Sequence, residues 1–518
     1  MLRFWILLFG ITCSLDVTAA STRHLFLVSD LHVGAGRGVD GKWKRIEDFR
    51  WQKEFDQFLR FAAEKSGNNS DLVFVGDVFE LWQSPTMNCS DNASTPGCAI
   101  SDCMESSSDY GCTENEALAR LSYVLGQHQD FVDSLRAFAS AGKNRVFLIP
   151  GNHDAALLFP ELTKRLSQVF DKTNFRVETA GHWLSEDGAI YVDHGHQFDD
   201  LNRMKNWPKP FATSKNGEER MQKPWGENMV QQFYNQYEHM FPVIDNISDE
   251  KSGISFATND AGFVKSATAV GKFFRFFLLN QSSSQANSFL RTNAAPGTTK
   301  WNEGLVKAKG ITFFVDVFKS DPKLDSDVQA ALASKEIELD VRSLTPDDVQ
   351  RICDHKLSLR KSNPDVELCP MQDGNLSAVV TGLTSSPESQ LVKYLRDVLP
   401  RVIQRDAVLP SIYVYGHTHS AIASTKLNLG DMAGGPAAIS YVNTGAFQRI
   451  VSPEQLKKLL ASRTGQVSKS LRDLDVEDLP ACYTFISVEP YSGAPVAVLN
   501  SWVETSSGKF GARKGGCW

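Results

Sequence analysis

Asp, His and Asn side chains recur in this chain at one kind of place, the end of a short apolar run. Val146–Ile149 breaks at Pro150-Gly151 and delivers Asn152, His153 and Asp154. His24–Ser29 is followed by Asp30 and His32, Leu72–Val75 by Gly76 and Asp77, Ala189–Asp193 by His194 and His196, and Ile412–Tyr415 by Gly416, His417 and His419. Carboxylates, imidazoles and one neutral amide, without thiolates, suit Mn, Fe, Zn or Co better than soft metals, and are too imidazole-rich for calcium. Asp30-x-His32 and His417-x-His419 can each hold an ion, because alternate residues leaving a strand tip can turn toward it. Asp77, alone on its strand, is the natural bridge, and Asn152 offers a neutral oxygen. Two ions at bridging distance clamp a phosphoryl group and provide hydroxide at neutral pH, so the expected chemistry is phosphoester hydrolysis. His153 can donate or accept a proton near neutral pH, and Asp154 could orient it.

The elements that must position these groups are buried strands. An apolar run bounded by Gly or Pro reads as a strand covered on both faces, and residues just past the carboxyl ends of such strands face the ligand crevice. Between the runs the period is helical. Phe49–Ala63 sets Trp51, Phe55, Phe58, Leu59 and Ala62 on one face, and Glu116–Ala141 aligns Leu118, Leu121, Leu125, Val132, Leu135 and Phe138 before Gly142. Strand and helix alternation gives a layered α/β domain. Ala437–Asn443 reads as a closing strand, Tyr483–Glu489 with Val496–Val503 as a closing hairpin, and Ser452–Leu474 as helix plus polar linker.

Two insertions interrupt the pattern. Residues 85–113, rich in Ser, Asp, Asn and Cys, read as a disulfide-stapled surface loop beside Asp77. The stretch between His196 and Gly416 is far longer than an ordinary connection. Its aromatics, including Phe273, Phe274, Phe276 and Phe277, suit a mainly helical cap with a small core of its own, or an apolar wall for the leaving group of a lipid-like phosphoester. The expected organisation is a signal peptide at 1–20, a core at 21–199, a cap at 200–405, and the rest of the core at 406–518.

The 518 residues are 42% hydrophobic and 22% charged, with net charge −7 and pI near 5.9. That balance offers no basic face to a nucleic-acid polymer. A phosphorylated small molecule stays admissible, because metals supply the positive charge locally. Met1–Arg3, the apolar run Phe4–Cys13 and the small residues Thr18–Ala20 have the layout of a secretory signal peptide, too short to span a bilayer. The next apolar stretch, 263–279, carries Lys265, Lys272 and Arg275 and is no membrane span. Without Cys13 an even set of eight cysteines remains, in three local groups: Cys89, Cys98, Cys103 and Cys112; Cys353 with Cys369; Cys482 with Cys517. Sequons at Asn68, Asn88, Asn92, Asn246, Asn280 and Asn375 agree with an extracellular, lysosomal or vacuolar glycoprotein.

Taken in order, Asp30-x-His32, Gly76-Asp77, Gly151-Asn152-His153-Asp154, His194 and Gly416-His417-x-His419 resemble the calcineurin-like metallophosphoesterases. That resemblance implies a β-sandwich flanked by helices with two divalent or mixed-valence ions, Mn, Fe or Zn. By position it implies Asp30, His32, Asp77 and His419 as ligands of one metal, and Asp77, Asn152, His194 and His417 as ligands of the other. It implies His153 as the group that protonates the leaving oxygen, with Asp154 holding it, and leaves His196 between a substrate contact and a supporting group. Ser29–Gly34 with Val75–Trp82 resembles the UDP-2,3-diacylglucosamine pyrophosphohydrolase-like branch, which carries Arg where this chain has His153. Glu80 stands where purple acid phosphatases carry Tyr. A non-catalytic member of the fold, acting as a scaffold or receptor through the cap, is the alternative class; it would be expected to have lost ligands, and none is missing.

Overall fold

All five apolar runs become strands of two stacked sheets. The computed structural model describes residues 20–83, 110–248, 387–461 and 471–517, apart from short stretches at 200–201, 215–216, 225, 228–229, 232–237, 239–240, 403–408 and 433–434. In chain order these comprise β1 (Ala20–Ser21), β2 (His24–Val28), α1 (Gln52–Ser66), β3 (Ser70–Val75), β4 (Tyr110–Thr113), α2 (Glu114–Gln127), α3 (Gln129–Ser140) and β5 (Arg145–Ile149). There follow α4 (Pro160–Val169), β6 (Phe175–Val177), β7 (Trp183–Leu184), β8 (Ile190–Val192), β9 (Phe211–Thr213) and β10 (Glu219–Gln222). The later elements are α5 (Pro387–Val402), β11 (Ile412–Tyr415), β12 (Ile422–Met432), β13 (Gly435–Asn443), α6 (Pro453–Ala461), β14 (Cys482–Val488), β15 (Tyr491–Ser492), β16 (Ala497–Ser506) and β17 (Lys509–Lys514).

The first sheet has the order β17-β16-β14-β2-β3-β5-β6, the second β12-β13-β11-β8-β7. Strands β2, β3, β5 and β6 run parallel, as do β13, β11 and β8, so both sets of carboxyl ends gather on one edge. Strands β14 and β16 pair antiparallel, as the expected closing hairpin. Alternate residues explain the uninterrupted apolar runs. Leu25, Leu27, Val73, Val75, Phe147 and Ile149 meet Ile190, Val192, Ile412, Val414 and Val442 between the sheets. Their neighbours Phe26, Val28, Leu72, Phe74, Val146 and Leu148 pack with the apolar faces of α1 to α4. Outside the second sheet, Tyr191, Tyr413 and Tyr415 meet Leu391, Leu395 and Leu399 of α5. Helices thus flank a two-sheet sandwich, the fold class expected, and each fully buried aliphatic side chain adds about 1.5–3 kcal/mol.

Several expectations change on contact with the fold. The helix expected over Glu116–Ala141 is two. His128 breaks it with φ −118° and ψ 44°, and its buried ring lies 3.3 Å from Glu47 Oε2 and stacks on Trp43. A capping box between Thr113 and Glu116 starts the first helix two residues early. The segment 200–405 does not stand apart from the core at its ends. Strands β9 and β10 join β4 in a small sheet, and α5 covers the second sheet as a core helix. Residues 249–386, with Phe273–Phe277, Cys353 and Cys369, lie outside the described residues, as do residues 1–19 of the signal segment expected at 1–20 and most of the loop at 85–113.

Cys482 and Cys517 form the expected disulfide. Cys112 is also disulfide-bonded, to a partner outside the described residues. Of the sequons, Asn68 is exposed, but Asn246 is fully buried and its Nδ2 donates to Gln448 Oε1 at 3.4 Å, so folding closes that acceptor off. Among the described residues no helix is long and apolar enough to cross a membrane.

Candidate metal centre

Five of the expected ligands leave their strands in the left-handed backbone region: Asp30 (φ 52°), His32 (49°), Asp77 (50°), His417 (71°) and His419 (54°). Non-glycine residues there cost on the order of 1–3 kcal/mol each and concentrate at functional sites. Backbone bonds from Leu31 and His32 to the Asp77 carbonyl, at 2.9 and 3.1 Å, lock the first two strand ends together. Two glycines permit the close approach of the rest. A Cβ on Gly76 (φ 88°) would lie 2.2 Å from His194 Nδ1, and one on Gly151 would lie 2.2 Å from Asp77 Oδ1.

The result is one group of candidate ligands. Asp30, His32 and His419 bring one ligand atom each within 4.8 Å of one another, and so do Asp77, His194 and His417. Asp77 joins the two groups, with its Oδ2 3.0 Å from His194 Nε2 and 4.0 Å from His32 Nε2. Asn152 Oδ1 lies 3.0 Å from His194 Nε2. All the residues named as ligands therefore come together.

Whether these groups fit a cation can be read from their unused atoms. His32 Nε2 is buried, makes no hydrogen bond and faces Asp77 Oδ2 at 4.0 Å, while the buried Asp30 Oδ1 faces His419 Nε2 at 3.4 Å, so the open atoms of these ligands point at one another. Asp30 Oδ2, by contrast, accepts from Ser29 Oγ and from the His417 N–H. Three rings are oriented through one nitrogen: His194 Nδ1 with the Val75 carbonyl at 2.7 Å, His32 Nδ1 with Glu80 Oε2 at 2.9 Å, and His417 Nε2 with Asp199 Oδ2 at 2.9 Å. A neutral imidazole donating there presents its other nitrogen to a metal, the usual arrangement around ligating histidines. The donor set fits a pair of borderline or hard divalent ions.

Metal-free electrostatics point the same way. Burial alone would raise Asp77, yet the charges of His194 and His153 hold its carboxyl well below the usual range. Burial alone would lower His194, but Asp77 and then Asp30 push it up to about 10. His153 is pushed up to about 9 against burial, by Glu80 and then Asp77. Buried carboxylates here draw positive charge onto whatever can carry it.

The support of His153 differs from the expectation. Asp154 does not touch the ring; its Oδ2 accepts from the N–H of Val78 and Phe79 at 2.8 and 3.2 Å, and its Oδ1 from Gly151 N–H at 2.7 Å. It pins the loop after β3 to the loop after β5, and burial pushes it up to about 7. Glu80 orients the imidazole instead, 2.6 Å from His153 Nδ1, while Trp82 stacks on it with centroids 3.9 Å apart. In the sequence Glu80 is a carboxylate three residues after Asp77, a position that distinguishes the chain from purple acid phosphatases but carries no local sign of a link to His153. Asp199 was missed because nothing local marks it. His196 is buried with its ring 5.4 Å from that of His194 and edge-on to Trp207 at 4.4 Å, and is not among the residues lining the cavity before the site.

That cavity is lined by His32, Asp77, Asn152, His153, His417 and His419, among others. No curated protein matches this chain. The family model described as calcineurin-like phosphoesterase matches residues 24–237, the segment that carries Asp30, His32, Asp77, Asn152, His153 and His194, and this supports a place in the metallophosphoesterase superfamily.

Proposed function

We propose that the chain is a metal-dependent phosphohydrolase that cleaves a phosphoester or pyrophosphate bond in a phosphorylated small molecule or lipid-like substrate. The observation that carries this reading is the convergence of Asp30, His32 and His419 in one group and of Asp77, His194 and His417 in another beside it, with His32 Nε2 buried and free of a hydrogen bond. Asp30, His32, Asp77 and His419 would hold one ion, and Asp77, Asn152, His194 and His417 the other. When bound, two such ions supply Lewis acidity toward phosphoryl oxygens and lower the pKa of water. His153 supplies what the ions cannot. Glu80 holds its Nδ1 and Trp82 holds its ring plane, so Nε2 has a fixed direction from which to protonate the departing oxygen.

The N-terminal segment and the even cysteine set support export through the secretory pathway, and the long segment after His196 supports a cap between the two parts of the core. The local resemblance of Ser29–Gly34 and Val75–Trp82 to the UDP-2,3-diacylglucosamine pyrophosphohydrolase-like branch supports the same architecture, with His153 standing where that branch has Arg.

The test is hydrolysis by the purified chain of an aryl phosphomonoester, an aryl phosphodiester and a nucleotide pyrophosphate, after chelation and re-addition of Mn, Zn or Fe. Turnover should return with metal and vanish in Asp77→Asn. Two metals bound with no turnover of any ester would refute the enzyme and favour a scaffold.

A further inference from the structure

One wall of the same cavity has no role in the phosphoesterase site. It carries Asp48, from the loop before α1, with Glu238 and Asp245. One carboxylate oxygen of each lies within 4.8 Å of the others. Asp48 and Glu238 are 4% and 1% exposed, and Asp245 is half-buried. The wall is held rigidly. Val451 N–H donates to the Asn246 carbonyl and Ser248 N–H to the Val451 carbonyl, both at 2.9 Å, which fixes the strip around Asp245 to the core.

Three clustered acids are not in themselves a site. The independent observation is Gln83, 5% exposed, whose Nε2 donates to both Glu238 oxygens at 3.0 and 3.1 Å. Its carbonyl Oε1 is buried on this cavity wall without a hydrogen-bond partner, and so is Asp245 Oδ1. A buried amide oxygen left unpaired, on a side chain whose nitrogen already holds one of the three carboxylates, is costly unless a cation completes it. Arg50 is the cation that acts on Asp48, and its guanidinium is already paired with Asp475 at 2.5 Å. Burial, then repulsion from Asp245 and Glu47, pushes the Asp48 carboxyl well above the usual range, and burial, then Asp245 and Asp48, does the same to Glu238.

We propose that Asp48, Glu238 and Asp245, together with the Gln83 carbonyl, form a third cation site that binds a hard divalent ion through oxygens alone. The set contains no imidazole and no thiolate, so it selects differently from the histidine-rich centre beside it. Carboxylates and amide carbonyls in a group of this size are calcium chemistry. The site lies next to the centre, because the Gln83 and Trp82 N–H groups bind the Glu80 carboxylate that holds His32 and His153. Filling it would set the charge facing a substrate without contributing to either catalytic ion.

The experiment is equilibrium dialysis of the purified full chain with Ca²⁺, after chelation and reloading with two equivalents of Zn²⁺, with both metals counted. Saturable uptake of about one Ca²⁺ per chain is expected at roughly millimolar concentration, falling at least about tenfold in affinity in Glu238→Gln and in Asp245→Asn with zinc content unchanged. Asp245, being half-buried, is the substitution least able to disturb folding, so it decides the matter if Glu238→Gln misfolds. Absence of saturable uptake, or equal uptake by wild type and Asp245→Asn, overturns the proposal. Either result leaves the zinc count, and therefore the phosphoesterase reading, to stand or fall separately.

Discussion

Replacing Glu80 by Gln should uncouple the candidate metal centre from His153, the proposed proton donor, without changing the size of a single side chain. The carboxylate makes four contacts: Oε1 accepts from the N–H of Trp82 and Gln83 at 2.7 and 3.0 Å, and Oε2 meets His32 Nδ1 and His153 Nδ1 at 2.9 and 2.6 Å. An amide cannot serve both sides. With its oxygen turned to the histidines, its NH₂ would face two buried backbone donors, each losing an acceptor at about 1–3 kcal/mol, roughly 2–6 kcal/mol in all. With its oxygen kept on the backbone, its NH₂ faces both imidazoles, and each ring must move its proton to Nε2. For His32 that is the nitrogen left unpartnered for a metal.

The second arrangement costs less. Losing an orienting partner of this kind typically lowers metal affinity by about 10–100-fold, or about 1.4–2.7 kcal/mol. Competition against a chromophoric chelator would read that loss, and turnover of an aryl phosphate at saturating metal would read the separate effect on His153. Glu80→Gln with metal affinity and turnover both within about twofold of wild type would refute the assignment of Glu80 as the orienting group.

Two further outcomes rest on buried charges. In the chelated protein, His153 and His194 stand at about 9 and about 10 when folded against 6.5 ordinarily. Their stabilisation is therefore complete below about pH 6.5 and lost as pH rises through about 9 and about 10. The urea midpoint of the metal-free chain should fall between pH 6.5 and 9 and recover on adding metal; a flat or rising profile would contradict this. Asp193, next to His194, is buried and accepts from Tyr191, Tyr394 and Tyr413 at 3.0, 2.5 and 2.7 Å. Tyr394 is the donor from α5, so Tyr394→Phe should destabilise the chain by about 1.5–3 kcal/mol in urea titration. No measurable change would mean that α5 is not fastened to the second sheet as described.

What could be read from the sequence, and what could not, divides along a physical line. Asp30, His32, Asp77, Asn152, His153, His194, His417 and His419 were legible because each sits immediately after a run whose period already declared a buried strand. Element and chemistry there occupy the same few residues. Glu80 and Asp199 act on rings that are distant in sequence: His32 and His153 for the first, His417 for the second. A carboxylate that works across such a gap has no local pattern to distinguish it from a surface acid. Adjacency misled in the opposite direction. Asp154 follows His153 directly, but where the chain turns off β5 successive side chains diverge, and Asp154 goes to the backbone of Val78 and Phe79. His128 shows the same limit in a helix, since the apolar stripe runs on through the break and Glu47 and Trp43, which fix His128, come from another loop. Candidate metal ligands are thus found by where their strand ends, whereas the residues that orient them are found only once the strands are stacked.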